Sequence, residues 1–227
     1  MYLEAHTDFH AHLVKELKHH KGEELPTPKS FKEAISGDFA KWWLEAIAKE
    51  IENINSHEVA KWVKAPPKVR LLGAKWVFRW KLNAQGQVDR AKARLVCKRY
   101  RQLYGVDYLD SMSPVCKLSA FRVCVAECAA RGMNTMVLDI RSAYLQAKLD
   151  HVQYMRAPEG VKPPKPGMVW KVSKGLYGMV PSGRCWHLQF RGELIDWKYR
   201  ASTVDTCVFV RWLNNSVIRI VLFVDMT

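Results

Sequence analysis

The sequence predicts an α+β fold, and three observations carry that prediction. Helical periodicity and strand alternation follow one another without a regular βαβ repeat. Short turns join successive alternating segments, which favours local antiparallel hairpins. Hydrophobic residues make up 48 % of the 227-residue chain, enough for a sizeable core. Nine tryptophans add broad surfaces for packing or stacking. The formal net charge of +14 calls for a polyanionic partner, either nucleic acid or an anionic membrane. No apolar run approaches the ~20 residues of a membrane span, and no apolar signal segment opens the chain. Nucleic acid is therefore the favoured partner, and the chain reads as intracellular.

Residues 1–30 are polar and form a solvated helix or disordered leader. Its His6, His10 and His12 lack the carboxylate or Cys cluster that completes a metal site. Residues 38–55 read as a helix that Asp38 can cap. Phe39, Trp43, Ile47, Ile51 and Ile54 give it an apolar stripe, and Glu45 and Lys49 pair at i,i+4. From Lys61 to Arg101 the chain turns basic, with 13 Lys or Arg against one acid, Asp89. Leu71 to Leu82 alternates as a strand, Asn83-Ala-Gln-Gly-Gln87 turns with Gly86 available for positive φ, and Val88 to Lys98 returns. A hairpin with cations on one face and Trp and Phe on the other can hold phosphates and stack on bases.

A loop-rich connector runs to Lys117. Leu118 to Arg131 reads as a helix with Ser119 as cap and Gly132 past its end; it is apolar nearly all round, and burial is expected. Met136-Val-Leu-Asp139 reads as an apolar strand delivering Asp139, followed by a short helix through Leu149. Residues 154–167 read as a surface loop and Met168 to Val172 as a strand. A helix begins near Ser182 with Trp186, Phe190, Leu194 and Trp197 on one face. Strands from Cys207 to Trp212 and from Val217 to Val224 flank a turn at Asn214-Asn215, and the second ends in Asp225. The six cysteines, Cys97, Cys116, Cys124, Cys128, Cys185 and Cys207, are scattered without a C-x-x-C pair; they read as reduced packing residues, and a zinc site is not expected.

Taken alone, Asp139 reads as a helix cap, the commoner use of such a residue. Asp225 repeats its arrangement. Two central strands holding carboxylates side by side can bind two divalent ions about 4 Å apart, an arrangement that activates a hydroxyl and stabilises a leaving pyrophosphate. The basic hairpin would then neutralise a triphosphate.

The ordered stretches Lys75-Trp-Val-Phe-Arg79, Asn83-Ala-Gln-Gly86, Lys92-Ala-Arg-Leu-Val96, Gly105-Val-Asp-Tyr108, Ser113-Pro-Val-Cys-Lys117, Leu138-Asp-Ile-Arg-Ser-Ala-Tyr-Leu145, Tyr154-Met-Arg-Ala-Pro-Glu-Gly160, Leu176-Tyr-Gly178 and Phe223-Val-Asp225 point further. With Gln102, Arg122, Trp186, Asp205 and Phe209 between them, they make the chain resemble the reverse transcriptase of copia-type LTR retrotransposons, a part of the pol polyprotein. The resemblance runs from about Trp43 to Asp225. It implies a right-hand polymerase fold with fingers and palm, truncated before the thumb: residues 31–227, with the basic fingers hairpin at about 61–101 and the palm at about 132–227.

It further implies an RNA-directed DNA polymerase using two Mg²⁺ or Mn²⁺ ions, an RNA template, a DNA primer and a dNTP. Asp139 and Asp225 would be the catalytic metal ligands, with the backbone at Ile140 beside them. Ala143 and the ring of Tyr144 would border the incoming nucleotide, Tyr144 excluding a ribose 2′-OH. Arg94, with Lys75 and Lys81, would meet the triphosphate, and Lys92, Lys98 and Arg99 the nucleic acid. The parent polyprotein would carry integrase and RNase H, and the setting would be a cytoplasmic virus-like particle or the nucleus.

Departures from the family pattern imply an impaired copy. Met226 stands where a second Asp is usual, and a thioether is a poor ligand for hard Mg²⁺. Pro181 stands where a Gln is expected, without amide side chain or backbone N–H. The glycine expected near Arg99 is missing, Cys97 replaces a small apolar residue, and the strand returning after Asp225 is not present. The alternative is a non-catalytic nucleic-acid-binding fragment.

Overall fold

A computed structural model describes residues 25–214 and 216–223. His6, His10 and His12 of the leader, Asn215 in its turn, and Asp225 with Met226 lie outside the described residues. The mixed α+β content is as expected. The chain divides into two compact units, one comprising residues up to Lys98 with Tyr154–Lys171, the other Arg99–Gln153 with the residues from Val172.

In the first unit, α1 (Phe31–Ser36) begins at Ser30, whose hydroxyl accepts the Glu33 N–H at 3.2 Å. α2 (Ala40–Ser56) buries Trp42, Trp43, Ala46, Ile47, Glu50 and Ile54, the stripe its periodicity predicts. The expected cap is corrected: Phe39, not Asp38, holds the N-cap position, and no side chain bonds there. Glu45 and Lys49 do pair, at 2.7 Å.

Strands β3 (Ala74–Leu82) and β4 (Val88–Cys97) form the predicted antiparallel hairpin, with Trp76 opposite Leu95 and Phe78 opposite Ala93. Asn83 Oδ1 accepts the N–H groups of Gln85 and Gln87 at 3.0 and 2.9 Å, and Gly86 takes φ +76°. Trp76, Phe78 and Trp80 alternate inward onto α2. The Trp43 ring lies 4.3 Å from that of Trp80 and 5.3 Å from that of Phe78. Trp76 Nε1 donates to the Glu159 carbonyl at 2.9 Å, and Trp80 Nε1 to that of Pro26 at 3.2 Å. This corrects the expected stacking role: each of these three rings is 6 % exposed, so they are core and cannot meet bases.

β1 (Ala60–Lys64), β2 (Leu71–Leu72), β5 (Lys148–Met155) and β6 (Met168–Lys174) make a sheet of order β1-β6-β5-β2. β2 runs parallel to β5, Leu71 opposite Tyr154. β5 corrects two expectations. The helix thought to reach Leu149 stops at Gln146, and Tyr154 and Met155 are strand where a loop was expected. Asp150, His151 and an inward polar Gln153 break the apolar alternation that marks a strand.

The second unit holds α3 (Leu118–Ala130), α4 (Ala143–Gln146), α5 (Ser182–Asp196) and an antiparallel sheet of β7 (Arg200–Ala201), β8 (Val208–Leu213) and β9 (Ser216–Val221). Its core gathers Cys116, Ala147, Cys185, Trp186, Leu194, Cys207, Phe209 and Leu222. All six cysteines are free thiols. Burial first, then the nearby Asp205 carboxylate, pushes Cys116 and Cys207 up to about 11, which suits packing rather than reactivity. Trp197, expected on the buried face of α5, is instead its C-cap and exposed.

α3 is not buried as expected: no residue in it is. Its apolar residues circle the axis, so its contacts through Arg219 and Phe223 leave Leu118, Val123 and Val125 in solvent. Ser119 does not cap it. The Asp205 carboxylate accepts the Lys117 N–H at 2.8 Å and so caps the helix from a distant turn. The expected strand before Asp139 is also absent. Residues 133–140 form no strand, and Met136, Val137 and Leu138 are exposed, Val137 to 97 %. A strand needs a partner ladder, and no described residue supplies one there.

Candidate functional site

Asp139 lies in the second unit, in the extended segment just before α4, with its carboxylate open to solvent. Neither reason the sequence offered for it holds in its original form. It does not end a buried strand, and it is not the helix cap, because Ser142 occupies that position and α4 starts at Ala143. Ser142 adopts φ +54°, ψ 33°, the left-handed region, without being glycine. Such a backbone costs about 1–3 kcal/mol and persists where its surroundings hold it. The holding bonds are local: the Ser142 carbonyl accepts the Leu145 N–H at 2.9 Å, and Gln146 Nε2 donates to the Arg141 carbonyl at 2.9 Å. The resulting bend separates Asp139 from α4 by a sharp change of direction.

α4 itself is seated by the segment that follows β6. Gly175 donates its N–H to the Ala147 carbonyl at 2.8 Å. A Cβ on Gly175 would stand 2.6 Å from the Tyr144 carbonyl and 2.8 Å from Ser182 Oγ, so only glycine permits this approach. Ser182 Oγ donates to the Leu176 carbonyl at 2.8 Å. Leu145 is fully buried, while Ala143 and Tyr144 remain half-buried. Tyr144 meets Tyr177 edge-on at 5.7 Å, a contact that fixes its ring while leaving part of it accessible. Ile140 and Gln146 line a cleft with Trp186, Gln189, Phe190 and Glu193.

The donor set can be tested against a divalent ion. The hard carboxylate oxygens of Asp139 suit Mg²⁺, and the residue is exposed. Among the described residues no three His, Cys, Asp or Glu side chains cluster as a complete ligand set. The expected second ligand, Asp225, lies outside them.

The expected phosphate-binding cations belong to the first unit, where the alternation of the hairpin sorts them. Lys75, Arg79 and Lys81 on β3 and Arg90, Lys92 and Arg94 on β4 share the face opposite the tryptophans. Arg79 stands opposite Lys92 and Lys81 opposite Arg90, so like charges face each other across the ribbon. Burial first, then Arg94 and Lys81, holds the Lys92 ammonium below its ordinary value. Behind it, Glu50 of α2 accepts the Leu95 N–H at 3.2 Å, and burial raises this carboxyl above its usual range despite Lys92 and Arg94. Asp89 pairs with Arg90 at 3.1 Å. Lys98 ends the first unit and Arg99 opens a 3₁₀ turn in the second.

The structural weight of two residues is not visible in the sequence. Asp205 is buried, and its other oxygen accepts the Cys207 N–H at 2.9 Å. Gln102, also buried, accepts the Val180 N–H and donates to Gln153 Oε1, both at 2.8 Å. Both were seen only as matches to a family pattern; a polar residue in a loop carries no periodic signal of burial.

The profile of the family described as reverse transcriptase (RNA-dependent DNA polymerase) matches residues 57–227. The chain is 34 % identical over 185 residues to the Retrovirus-related Pol polyprotein from transposon RE2 of Arabidopsis thaliana, an overlap of 81 % of this chain and 13 % of the relative. It is 33 % identical over 200 residues to the corresponding polyprotein from transposon TNT 1-94 of Nicotiana tabacum, covering 87 % of this chain and 15 % of that protein. A third relative, from transposon RE1 of Arabidopsis thaliana, is 33 % identical over 185 residues, with 81 % of this chain and 13 % of the relative covered. The chain thus spans about one seventh of the length of these curated relatives. No solved structure gives a significant match. The chain belongs to the reverse transcriptase (RNA-dependent DNA polymerase) family, among the Pol polyproteins of copia-type transposons.

Proposed function

We propose that this chain is the fingers and palm of a copia-type RNA-directed DNA polymerase, with a catalytic centre weakened by Met226. The observation that carries the reading is the accessible Asp139 carboxylate next to the left-handed Ser142 and the seated Tyr144, in a chain of this family. In this reading Asp139, with Asp225, holds divalent ions beside the backbone of Ile140. When bound, such ions lower the pKa of the primer hydroxyl and neutralise the leaving pyrophosphate. Lys75, Lys81 and Arg94 neutralise the triphosphate, and positioning by these groups does the remaining work of phosphoryl transfer. Lys92, Lys98 and Arg99 meet the nucleic acid. Ala143 and Tyr144 border the sugar, and Tyr144 rejects a 2′-OH. The template is RNA, the primer DNA, and the setting intracellular. The fingers correspond to the hairpin at about 61–101 and the palm to about 132–227.

Primer extension on an RNA template with Mg²⁺ or Mn²⁺ tests this. Weak incorporation is expected, rising about a hundredfold in Met226→Asp, since a metal ligand supports several kcal/mol of charge stabilisation. It should vanish in Asp139→Asn. Robust incorporation by the chain as it stands, lost in Asp139→Asn, would sink the impairment and keep the polymerase. No incorporation in any variant, alongside salt-sensitive RNA binding, would favour the second reading, a non-catalytic nucleic-acid-binding module. That reading draws on the like-charged pairs of the hairpin, whose repulsion an anionic ligand relieves.

A further inference from the structure

The loop from Arg99 to Met112 displays aromatic side chains on an unusually well-anchored frame. Gln102 and Gln153 are both buried and form a continuous polar relay: Val180 N–H to Gln102 Oε1, Gln102 Nε2 to Gln153 Oε1, and Gln153 Nε2 to the Asp107 carbonyl, each at 2.8 Å. A buried polar network whose members are satisfied fixes one geometry. Asp107 Oδ2 accepts the Leu103 N–H at 2.7 Å, and Gly105 donates its N–H to the Tyr108 carbonyl at 2.8 Å. Asp110 is held by Arg184 at 2.9 Å. Both carboxylates of the loop therefore serve its own scaffold. The aromatic residues it turns outward are Tyr100, 77 % exposed, and Tyr104, 74 % exposed and edge-on to Tyr108 at 5.8 Å, with Leu103, Val106, Leu109 and Met112 also in solvent. Arg99 and Arg101 flank Tyr100, in a chain of net charge +14.

Tyr100 and Tyr104 hold most of their ring surface in solvent, on a loop anchored by hydrogen bonds. A ring beside cations is what a single-stranded nucleic acid requires, with bases on the π-face and phosphates on the guanidinium groups. We propose that Tyr100 and Tyr104 form a base-stacking platform for single-stranded nucleic acid. The proposal rests on the nucleic-acid partner proposed above and adds residues which that reading does not use.

Fluorescence anisotropy of the chain with labelled oligo(rA) and oligo(dA), over a range of salt concentrations, tests it. Tyr100→Ala and Tyr104→Ala should each weaken binding about tenfold, the worth of one stacked base, while leaving the salt dependence unchanged. The Phe variants should stay within about twofold of wild type, because a phenyl ring stacks as well. Arg99→Gln should instead flatten the slope of log K against log salt by about 0.7. Affinity within about twofold of wild type in both Ala variants would overturn the platform while leaving the nucleic-acid partner standing. Failure of the unaltered chain to bind either oligonucleotide would overturn both. Unchanged affinity together with loss of self-association in sedimentation would identify the loop as a protein interface and likewise overturn the proposal.

Discussion

The β3–β4 hairpin and the segment around Asp139 treat the same residue types in opposite ways. In β3, Trp76, Phe78 and Trp80 alternate into a core closed by Trp43, which is only 2 % exposed. In Met136-Val-Leu138, residues just as apolar stand in solvent. The difference is one of partners. The hairpin carries its own second strand directly after the five-residue turn Asn83–Gln87, and α2 covers its inner face. The Asp139 segment has no strand beside it among the described residues, and Met136, Val137 and Leu138 are left exposed. Apolar character alone makes neither strand nor core; it needs a surface within reach.

Replacing one aromatic in each region is the strongest way to break this contrast. Trp43→Ala should lose about 3–5 kcal/mol in urea unfolding, because the rings of Phe78 and Trp80 would face a cavity. Val137→Ser should change stability by less than about 0.5 kcal/mol, as expected for an exposed position. A loss at Val137 comparable to that at Trp43 would mean the segment is covered and would end the comparison.

A middle-sized effect is expected at Asp205, which ties the start of α3 to the turn before β8. Asp205→Ala should cost about 1–3 kcal/mol, since the Lys117 and Cys207 N–H groups lose their acceptor. Its titration gives the sign. Burial raises this carboxyl, but the backbone N–H groups of Cys207 and Lys117, with the Cys116 thiol, outweigh it and hold it below its ordinary value of 3.8. A depressed carboxyl contributes stability above the unfolded value and loses it as the pH falls through the folded one. Wild type should therefore lose stability relative to Asp205→Asn as the pH falls below 3.8, measured by thermal unfolding. An unchanged difference between the two down to acid pH would show that the carboxylate does not carry the cap.

Most of the hairpin was legible because period two, the basic face and the Asn83–Gln87 turn point to the same pairing along most of Lys75 to Arg94, with a register shift only at Lys81 and Leu82. The α2 stripe was legible for the same reason. β5 was not, since Gln153 is inward and polar, and its burial serves Gln102 and Asp107 rather than an apolar core. The cap of α3 was not, because its acceptor lies 88 residues away at Asp205. At the candidate site Asp139 was visible as a type of residue, but the left-handed Ser142 beside it was not; no glycine or asparagine marks that bend. Sequence signals report local agreement, and these exceptions depend on distant partners.

The smallest effect bears on the hairpin alone, where the cationic face opposes the stability of its own fold. Lys92 faces Arg79 across the ribbon, and burial, then Arg94 and Lys81, depress its ammonium below 10.5. Because the folded chain binds this proton less readily than the unfolded chain, charging Lys92 costs stability below its folded value, and the cost fades as the pH rises towards 10.5. Lys92→Met keeps the stem and removes the charge, so it should stabilise the chain by about 0.2–1 kcal/mol at neutral pH, with the gain vanishing in alkali. Inorganic tripolyphosphate should reverse the order, raising the melting temperature of wild type more than that of Lys92→Met, because the anion relieves the repulsion the variant has already lost. Destabilisation by Lys92→Met at neutral pH would show that Glu50, not repulsion from the neighbouring cations, governs this lysine, and the hairpin face would then be a balanced structural surface rather than one built for an anion.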